Sequence, residues 1–489
     1  MTASARNVAD LVRASAHRGP KHVALVDVTT ANSYTWAEFD SFVDREAHRL
    51  VDAGVEPGDR VVVRMPTGVA FCAAVFGVLR AGGVLVPAGP GQPARELQRL
   101  VADSGARLLV GEGAGADVEV LGPPVLAPGE PFEAVGAGED LAVLGYTSGT
   151  SGVPRGAMLS HRALLANVDQ CGALRPAPVT AGDRVLLALP LFHVYGLGPG
   201  LLQVAGAGAT GVLLERFHPD GALTAIREHR VTAVVGVPPM YQAILAQPVQ
   251  RLREDLATVR LFTSGAAPLA VGLLDAMRQA VGLPVYEGYG LTETGPVLTS
   301  TLVGGLPKAG SVGWPLPGVE LRLVDTDGRP LDPDEDEPGT GLVAARGDNL
   351  FSGYWPDGAH GPDADGWFRT GDVGYLDEDG DLHLVDRAGD LIIVNGFNVY
   401  PHEVEQVVCE LAGVAEAAAV GVPDPRAGES VKVVIVLDEG AVLTEDAVRD
   451  HCADRLAKFK VPAVVEFASA LPHSPTGKLA RARLRLPLG

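Results

Sequence analysis

The sequence predicts an α/β protein, with a large N-terminal domain of βα subdomains that includes a small β-barrel-like portion, followed by a small α/β C-terminal domain. Three observations predict this. Helical patterns alternate with short Val/Leu-rich runs at Arg60 to Arg64, Arg107 to Val110, Val185 to Leu189, Gly211 to Leu214 and Thr232 to Val237, which is the rhythm of βα units. From Gly310 onward, short strands are separated by Asp-Gly turns at Asp327-Gly328 and Asp379-Gly380, the mark of a local antiparallel portion. After Asp386 the order is helix, strand, strand, helix.

Taken from the N-terminus, the stretch from Met1 to Pro20 interleaves Arg6, Asp10, Arg13 and Arg18 with apolar residues. It therefore reads as an amphipathic helix rather than a signal peptide, whose core is uncharged. The apolar stretch Phe71 to Gly89 is interrupted by Arg80 and a glycine pair, which predicts a buried helix running into a strand and no transmembrane segment. Leu141 to Leu144 reads as a buried strand and Ser160 to Val168 as a helix. At the C-terminal end, helices are expected at Pro401 to Ala412 and Glu445 to Ala457, with strands at Ala415 to Val422 and Ser430 to Leu437. The domain boundary is placed near Arg387 to Asp390, giving domains 1–386 and 387–489, because Gly389 offers the backbone unusual freedom there.

The length of 489 residues exceeds one ordinary domain, and a composition 47% hydrophobic and 20% charged is that of a globular chain able to bury large cores. A net charge of -21 repels phosphate backbones and argues against a nucleic-acid partner. Cys72, Cys171, Cys409 and Cys452 lie far apart without paired spacing, so neither a disulfide framework nor a zinc site is readable and a reducing cytoplasm is the simplest location. Two carboxylate-dense segments, Asp325 to Glu337 and Asp377 to Asp381, lack the glycine and glutamate spacing of a calcium loop and read as solvated turns.

Four clusters carry chemistry. In the first, Thr147, Ser148, Gly149, Thr150, Ser151 and Gly152, followed by Arg155, come after the strand at Leu141 and before the helix at Ser160. Small hydroxyl and glycine residues leave backbone N–H groups open, so a strand-loop-helix of this composition wraps phosphate oxygens. It is not a Walker A loop, and Gly206, Gly208 and Gly211 precede a strand where a dinucleotide fingerprint would follow one. No serine is flanked by glycines two residues to each side, which removes the hydrolase elbow.

The second cluster, Tyr286, Glu287, Gly288, Tyr289, Gly290, Leu291, Thr292, Glu293 and Thr294, sets an aromatic ring, a hydroxyl and a carboxylate beside glycines that permit close approach. Tyr289 suits adenine stacking, Thr292 a phosphate and Glu293 a Mg2+ ion. The third, Trp367 to Asp372 with Asp386 and Arg387, pairs a ribose-binding carboxylate with a planar cation, or forms a surface ion pair. The fourth, Leu471 to Lys478, is a proline-stiffened loop that presents one lysine. From Arg455 to Arg485 seven Lys or Arg face one acidic residue, which calls for an anionic partner or a neighbouring acidic face.

In this order the clusters resemble the adenylate-forming superfamily of acyl-CoA synthetases, nonribosomal-peptide adenylation domains and luciferases, over most of the chain. The resemblance implies two half-reactions: a carboxylic acid attacks the ATP α-phosphate to give acyl-AMP and pyrophosphate, and a thiol then displaces AMP. It implies that Tyr289 stacks on adenine with Gly265, Ala266 and Ala267 lining it, and that Asp372 and Arg387 hold the ribose. Glu293 would take Mg2+, Thr292 would lie at the phosphate, and Lys478 would bridge the acid and the α-phosphate. Relatives usually place lysine where this chain has Arg155. The resemblance further implies a mobile C-terminal domain with its hinge at Gly389, which would bring Asn395, Gly396 and Phe397 to the pantetheine arm of CoA.

Substrate-lining segments match Leu191 to Tyr195 and Val237 to Tyr241. Amino-acid-activating relatives carry aspartate where this chain has His193, which disfavours amino acids and favours fatty or aryl acids. The segment Asp390 to Pro401 looks most like fatty acyl-CoA synthetases, so the expected function is an ATP- and CoA-dependent ligase of fatty acid metabolism. Transfer to an acyl carrier protein, or a paralogue that binds acyl groups or nucleotides without catalysis, is the alternative.

Overall fold

Val61, Val62 and Val63 have no exposed surface on either side of their strand, as happens when helices cover both faces of a parallel sheet. The computed structural model describes residues 5–113, 115–147, 154–331, 339–395, 397–424, 426–473 and 479–485. Among them the chain divides into two compact units, one drawn from 1–149, 154–321 and 345–368, the other from 322–344 and 369–489. The architecture is the expected mixed α/β.

Two sheets build the first unit. One has six strands, in the order Glu119–Leu121, Leu108–Gly111, Arg60–Arg64, Val84–Ala88, Leu141–Thr147 and Arg155–Ser160, parallel except for the last pair. The other has nine, in the order Trp314–Pro315, Val297–Ser300, Val285–Gly290, Leu261–Ser264, Ala233–Gly236, Arg184–Leu187, Thr210–Leu213, Val23–Asp27 and Asn32–Thr35. Its centre is parallel and antiparallel strands close both edges. The crossovers between parallel strands put helices on the sheet faces, and Phe39, Phe76, Leu85, Leu186 and Phe262 belong to one continuous apolar core.

The stretch Phe71 to Gly89 is a helix, Val69–Arg80, leading into the strand Val84–Ala88. Arg80 ends that helix only 1% exposed, held by Asp40 and Asp44 at 2.6 Å each. A buried guanidinium is tolerable because both carboxylates and two backbone carbonyls receive it. Among the described residues no helix is long and apolar enough to cross a membrane. Cys72, Cys171 and Cys452 are buried free thiols and Cys409 is an exposed one.

The second unit takes most of a four-stranded sheet, ordered Val319–Val324, Gly341–Gly347, Phe368–Leu376 and Leu382–Arg387. Both Asp-Gly turns hold their glycine at positive φ, 87° at Gly328 and 84° at Gly380. Asp377 accepts from the N–H groups of Asp379 and Asp381, so that carboxylate cluster is turn chemistry, and among the described residues no group of three or more ligating side chains could hold a metal. A further sheet runs Phe397–Val399, Ile392–Val394, Gly428–Leu437 and Val414–Asp424, with Val464–Phe467 parallel to the third of these. Helices Pro401–Cys409 and Glu445–Ala453 contribute Val404, Val408 and Val448 to its core. The hairpin 369–387 belongs with the C-terminal residues in the second unit, whereas the sequence places the division at Arg387.

Candidate active site

The expected strand-loop-helix at Thr147 is a β-hairpin. Leu141–Thr147 pairs antiparallel with Arg155–Ser160, Thr147 opposite Arg155, and the helix His161–Gly172 starts only afterwards with Ser160 as its N-cap. A lack of alternation hid this, because Gly156 to Leu159 form a short continuous apolar run that fits a helix N-terminus or a buried strand equally well. Ser148, Gly149, Thr150, Ser151 and Gly152 lie outside the described residues.

Arg155 points its guanidinium at the Tyr354 ring, 3.6 Å from the centroid. The Tyr354 hydroxyl donates to Glu293 Oε1 at 2.6 Å. The backbone ties these together. The segment 352–355 runs beside the hairpin through Ser352 N–H to Met158 O and Trp355 N–H to Gly156 O, and Phe351 N–H donates to Glu293 O at 3.0 Å. Glu293 is 7% exposed in a 3-10 turn, Thr292–Thr294. A Cβ on Gly145 would fall 2.8 Å from Thr292 Cγ2, so Thr292 rests directly on the strand that enters the phosphate loop. The structure thus brings Thr147, Arg155, Thr292 and Glu293 together. Tyr354 joins them without any sequence signal, since it sits far from every motif.

Strand Val285–Gly290 lies beside Leu261–Ser264, with Tyr286 opposite Thr263 and Glu287 opposite Ser264. Glu287 Oε1 accepts from Leu269 N–H at 3.0 Å and so ties down the turn of Gly265, Ala266 and Ala267. Burial, opposed by that one bond, pushes the Glu287 carboxyl up to about 8. Ala266 adopts φ 66°, rare for a residue with a Cβ, and a Cβ on Gly265 would lie 2.8 Å from the Tyr195 ring. At Gly290 a Cβ would sit 1.8 Å from Pro296 O, so this glycine answers to its own neighbouring strand, whatever ligand also approaches; Gly288 and Tyr289 pair with Ser300 and Thr299.

His193 Nδ1 accepts from Tyr195 N–H at 3.2 Å, which places the proton of the neutral ring on Nε2. The Tyr195 ring covers Gly265, and Gly198 abuts Pro296, so the segment 195–198 packs against both the 265–267 turn and the stretch that follows Glu293. Behind it lies a cavity of about 60 Å3, lined by Tyr195, Gln203, Val235, Ser264 and Tyr286 among others.

In the second unit, Arg387 Nε pairs with Asp372 Oδ1 at 2.9 Å across the hairpin, and Asp372 is 6% exposed. Asp386 accepts from His402 N–H at 3.0 Å, capping the helix Pro401–Cys409 from outside it; burial raises its carboxyl despite that bond. Asn395, at φ 51°, and Phe397 flank Gly396, which lies outside the described residues; Phe397 stacks on Phe459 with centroids 4.6 Å apart.

Lys478 also lies outside the described residues, but the base of its loop is described. His473 bridges to Leu479 and pairs with Glu416 at 2.8 Å, while Arg481 is held by Glu405 and Ala419 O. Basic residues of this region find carboxylates within their own unit, Lys460 with Glu403 at 2.6 Å and Arg455 with Glu410 at 3.3 Å.

Against known proteins, residues 12–355 match the family model for the AMP-binding enzyme and 403–478 that for the AMP-binding enzyme C-terminal domain. A feruloyl-CoA synthase of Amycolatopsis sp is 37% identical over 93% of this chain and 94% of its own, and a long-chain-fatty-acid–CoA ligase of Yersinia pestis is 34% identical over 88% and 86%. The crystal structure of ATP-bound MatB from Rhodopseudomonas palustris superposes with a TM-score of 0.90 at 34% identity over 98% of each chain. The chain therefore belongs to the adenylate-forming superfamily of AMP-binding enzymes and, within it, to the AMP-forming acid–thiol ligases.

Proposed function

We propose that this chain activates a monocarboxylic acid of the fatty or aryl class as acyl-AMP and transfers the acyl group to CoA. The observation that carries the reading is the convergence of Thr147, Arg155, Thr292 and Glu293 around Tyr354, beside an apolar cavity that begins at Tyr195 and Ser264. CoA is favoured over a carrier protein as acceptor because the matched relatives bear CoA in their names.

In the first half-reaction an acid oxygen attacks the α-phosphorus and the bond to the bridging oxygen of pyrophosphate breaks. Charge builds on phosphoryl oxygens, so preorganised donors lower the barrier. The amides and hydroxyls of residues 147–152 and the Arg155 guanidinium receive the β- and γ-phosphates, and Lys478 meets the acid and the α-phosphate together. Glu293 fits a Mg2+ site, because that ion takes one or two carboxylates and completes its shell with phosphates and water. Mg2+ bound there would neutralise charge on the phosphates. The hydrogen bond from Tyr354 fixes the Glu293 carboxylate through Oε1.

The adenine is assigned to Tyr289, Gly288, Gly290 and the turn 265–267, and the ribose to Asp372 with Arg387. In the second half-reaction the CoA thiolate attacks the acyl carbon and AMP leaves, after the C-terminal domain turns at Gly389 to bring Asn395, Gly396 and Phe397 to the pantetheine arm.

Incubation of the protein with ATP, Mg2+ and CoA across a panel of fatty and aryl acids tests this. AMP, pyrophosphate and an acyl-CoA are expected in equal amounts; acid-independent release of phosphate, or no AMP with any acid, contradicts it.

A further inference from the structure

Among the described residues, the Gln203 side-chain nitrogen and the Ser264 hydroxyl are both buried without a hydrogen-bonding partner. Their residues are 3% and 1% exposed, and both line the cavity beside Tyr195. Leaving a buried donor unsatisfied costs about 1–3 kcal/mol, so two in one apolar cavity mark a place where a ligand supplies the partner. Nearby hydroxyls are already engaged: Tyr241 donates to Thr263 O, and Thr301 accepts from Glu287 N–H.

Two further features define the partner. No charged side chain among the described residues lines the cavity, so a second carboxylate on the tail would be buried without compensation. The space is about 60 Å3, well below the roughly 150 Å3 of a cavity that admits benzene, so it receives only the end of the tail, a group smaller than one ring. Gln203 and Ser264 line this same space. An amide nitrogen only donates, whereas a serine hydroxyl donates or accepts. A neutral oxygen on the tail answers both, accepting from the amide and accepting from or donating to the hydroxyl.

We propose that the acid pocket selects a compact monocarboxylic acid whose tail carries a neutral oxygen, received by Gln203 and Ser264. This rests on the acid–CoA ligase reading and narrows it. Dicarboxylates and long unsubstituted alkyl chains are poor substrates, and the oxygenated acid outcompetes its counterpart lacking the oxygen, because binding the latter seals two unsatisfied groups into the complex.

The test compares matched pairs, pentanoate with 5-hydroxypentanoate and benzoate with 4-hydroxybenzoate, alongside malonate and hexadecanoate, by acid-dependent AMP release. In at least one pair the oxygenated acid should show a kcat/KM at least about tenfold higher. Which pair responds separates an aliphatic from an aryl source of the oxygen. Gln203→Leu should collapse that ratio, and Ser264→Ala should reduce it; the smaller change serves if the leucine variant fails to fold. Equal rates within both pairs, a ratio unmoved by the variants, or malonate or hexadecanoate as the best acid overturns the proposal while leaving the ligase reading intact. If no acid releases AMP, the ligase reading fails, and calorimetry with acyl-sulfamoyl adenosines of the four paired acids decides the pocket by itself. At least tenfold tighter binding of an oxygenated member, lost in Gln203→Leu, sustains the proposal; equal binding or none overturns it.

Discussion

Tyr354 donates its hydroxyl proton to Glu293 across 2.6 Å, while the face of the same ring receives Arg155. One side chain thus couples the carboxylate assigned to the metal with the cation assigned to the phosphates. Tyr354→Phe keeps the ring and the cation–π contact but frees the carboxylate. Its kcat/KM for ATP should fall by about tenfold, the worth of one hydrogen bond to a charged group, and the Mg2+ concentration for half-maximal rate should rise. Glu293→Gln should cost about a hundredfold or more. An unchanged Mg2+ dependence in Tyr354→Phe would separate Tyr354 from the metal.

His161 sets a pH limit on stability. Its Nδ1 accepts from Val8 N–H at 3.0 Å, and burial outweighs the pull of Asp140 and Asp10 to bring its pKa down to about 4. The native state binds fewer protons than the unfolded chain between about 4 and 6.5, so stability is lost as pH falls through that window. In His161→Asn the amide oxygen can still accept from Val8. Its melting temperature relative to wild type should rise as pH is lowered from 6.5 to 4.5, read by calorimetry at each pH.

Glu287 acts with the opposite sign. Its carboxyl, raised from 4.5 to about 8, keeps a proton in the native state that the unfolded chain gives up, so stability falls as pH climbs between those values. Glu287→Gln can still accept from Leu269. Its melting temperature minus that of wild type should increase from pH 5 to pH 8 and level off above. A difference that stays flat would mean that Glu287 is ionised in the folded protein.

Arg481 should act as a positioning residue. With Glu405 and Ala419 O it fixes the chain just beyond the loop that carries Lys478. Arg481→Ala should lower kcat for acyl-AMP formation by about tenfold with little change in the KM for ATP, since it disturbs the placement of the lysine rather than nucleotide binding. Arg481→Lys, which keeps charge but not the fork, should recover part of the rate.

The sequence made the α/β layers legible because the strands are short apolar runs whose neighbours are helical. Arg60–Arg64 was readable to the residue, and the helix Val69–Arg80 was set off from a membrane span by Arg80. The hairpin at Thr147–Arg155 was not legible, since pairing between strands is a tertiary choice and Gly156 to Leu159 suit either state. Site residues inside glycine- and hydroxyl-rich motifs could be named because their composition is unusual. Tyr354, Glu405 and Gln203 could not, because an isolated tyrosine, glutamate or glutamine acquires meaning only from what folding places beside it.

The central claim is that Lys478 serves acyl-AMP formation and is not needed for thioester formation. The most direct measurement is the Lys478→Ala variant assayed in both half-reactions, by acid-dependent ATP–pyrophosphate exchange and by acyl-CoA formation from supplied acyl-AMP. Exchange should fall by about a hundredfold or more while thioester formation stays within about twofold of wild type. Equal loss in both reactions, or full exchange without the lysine, would contradict the account.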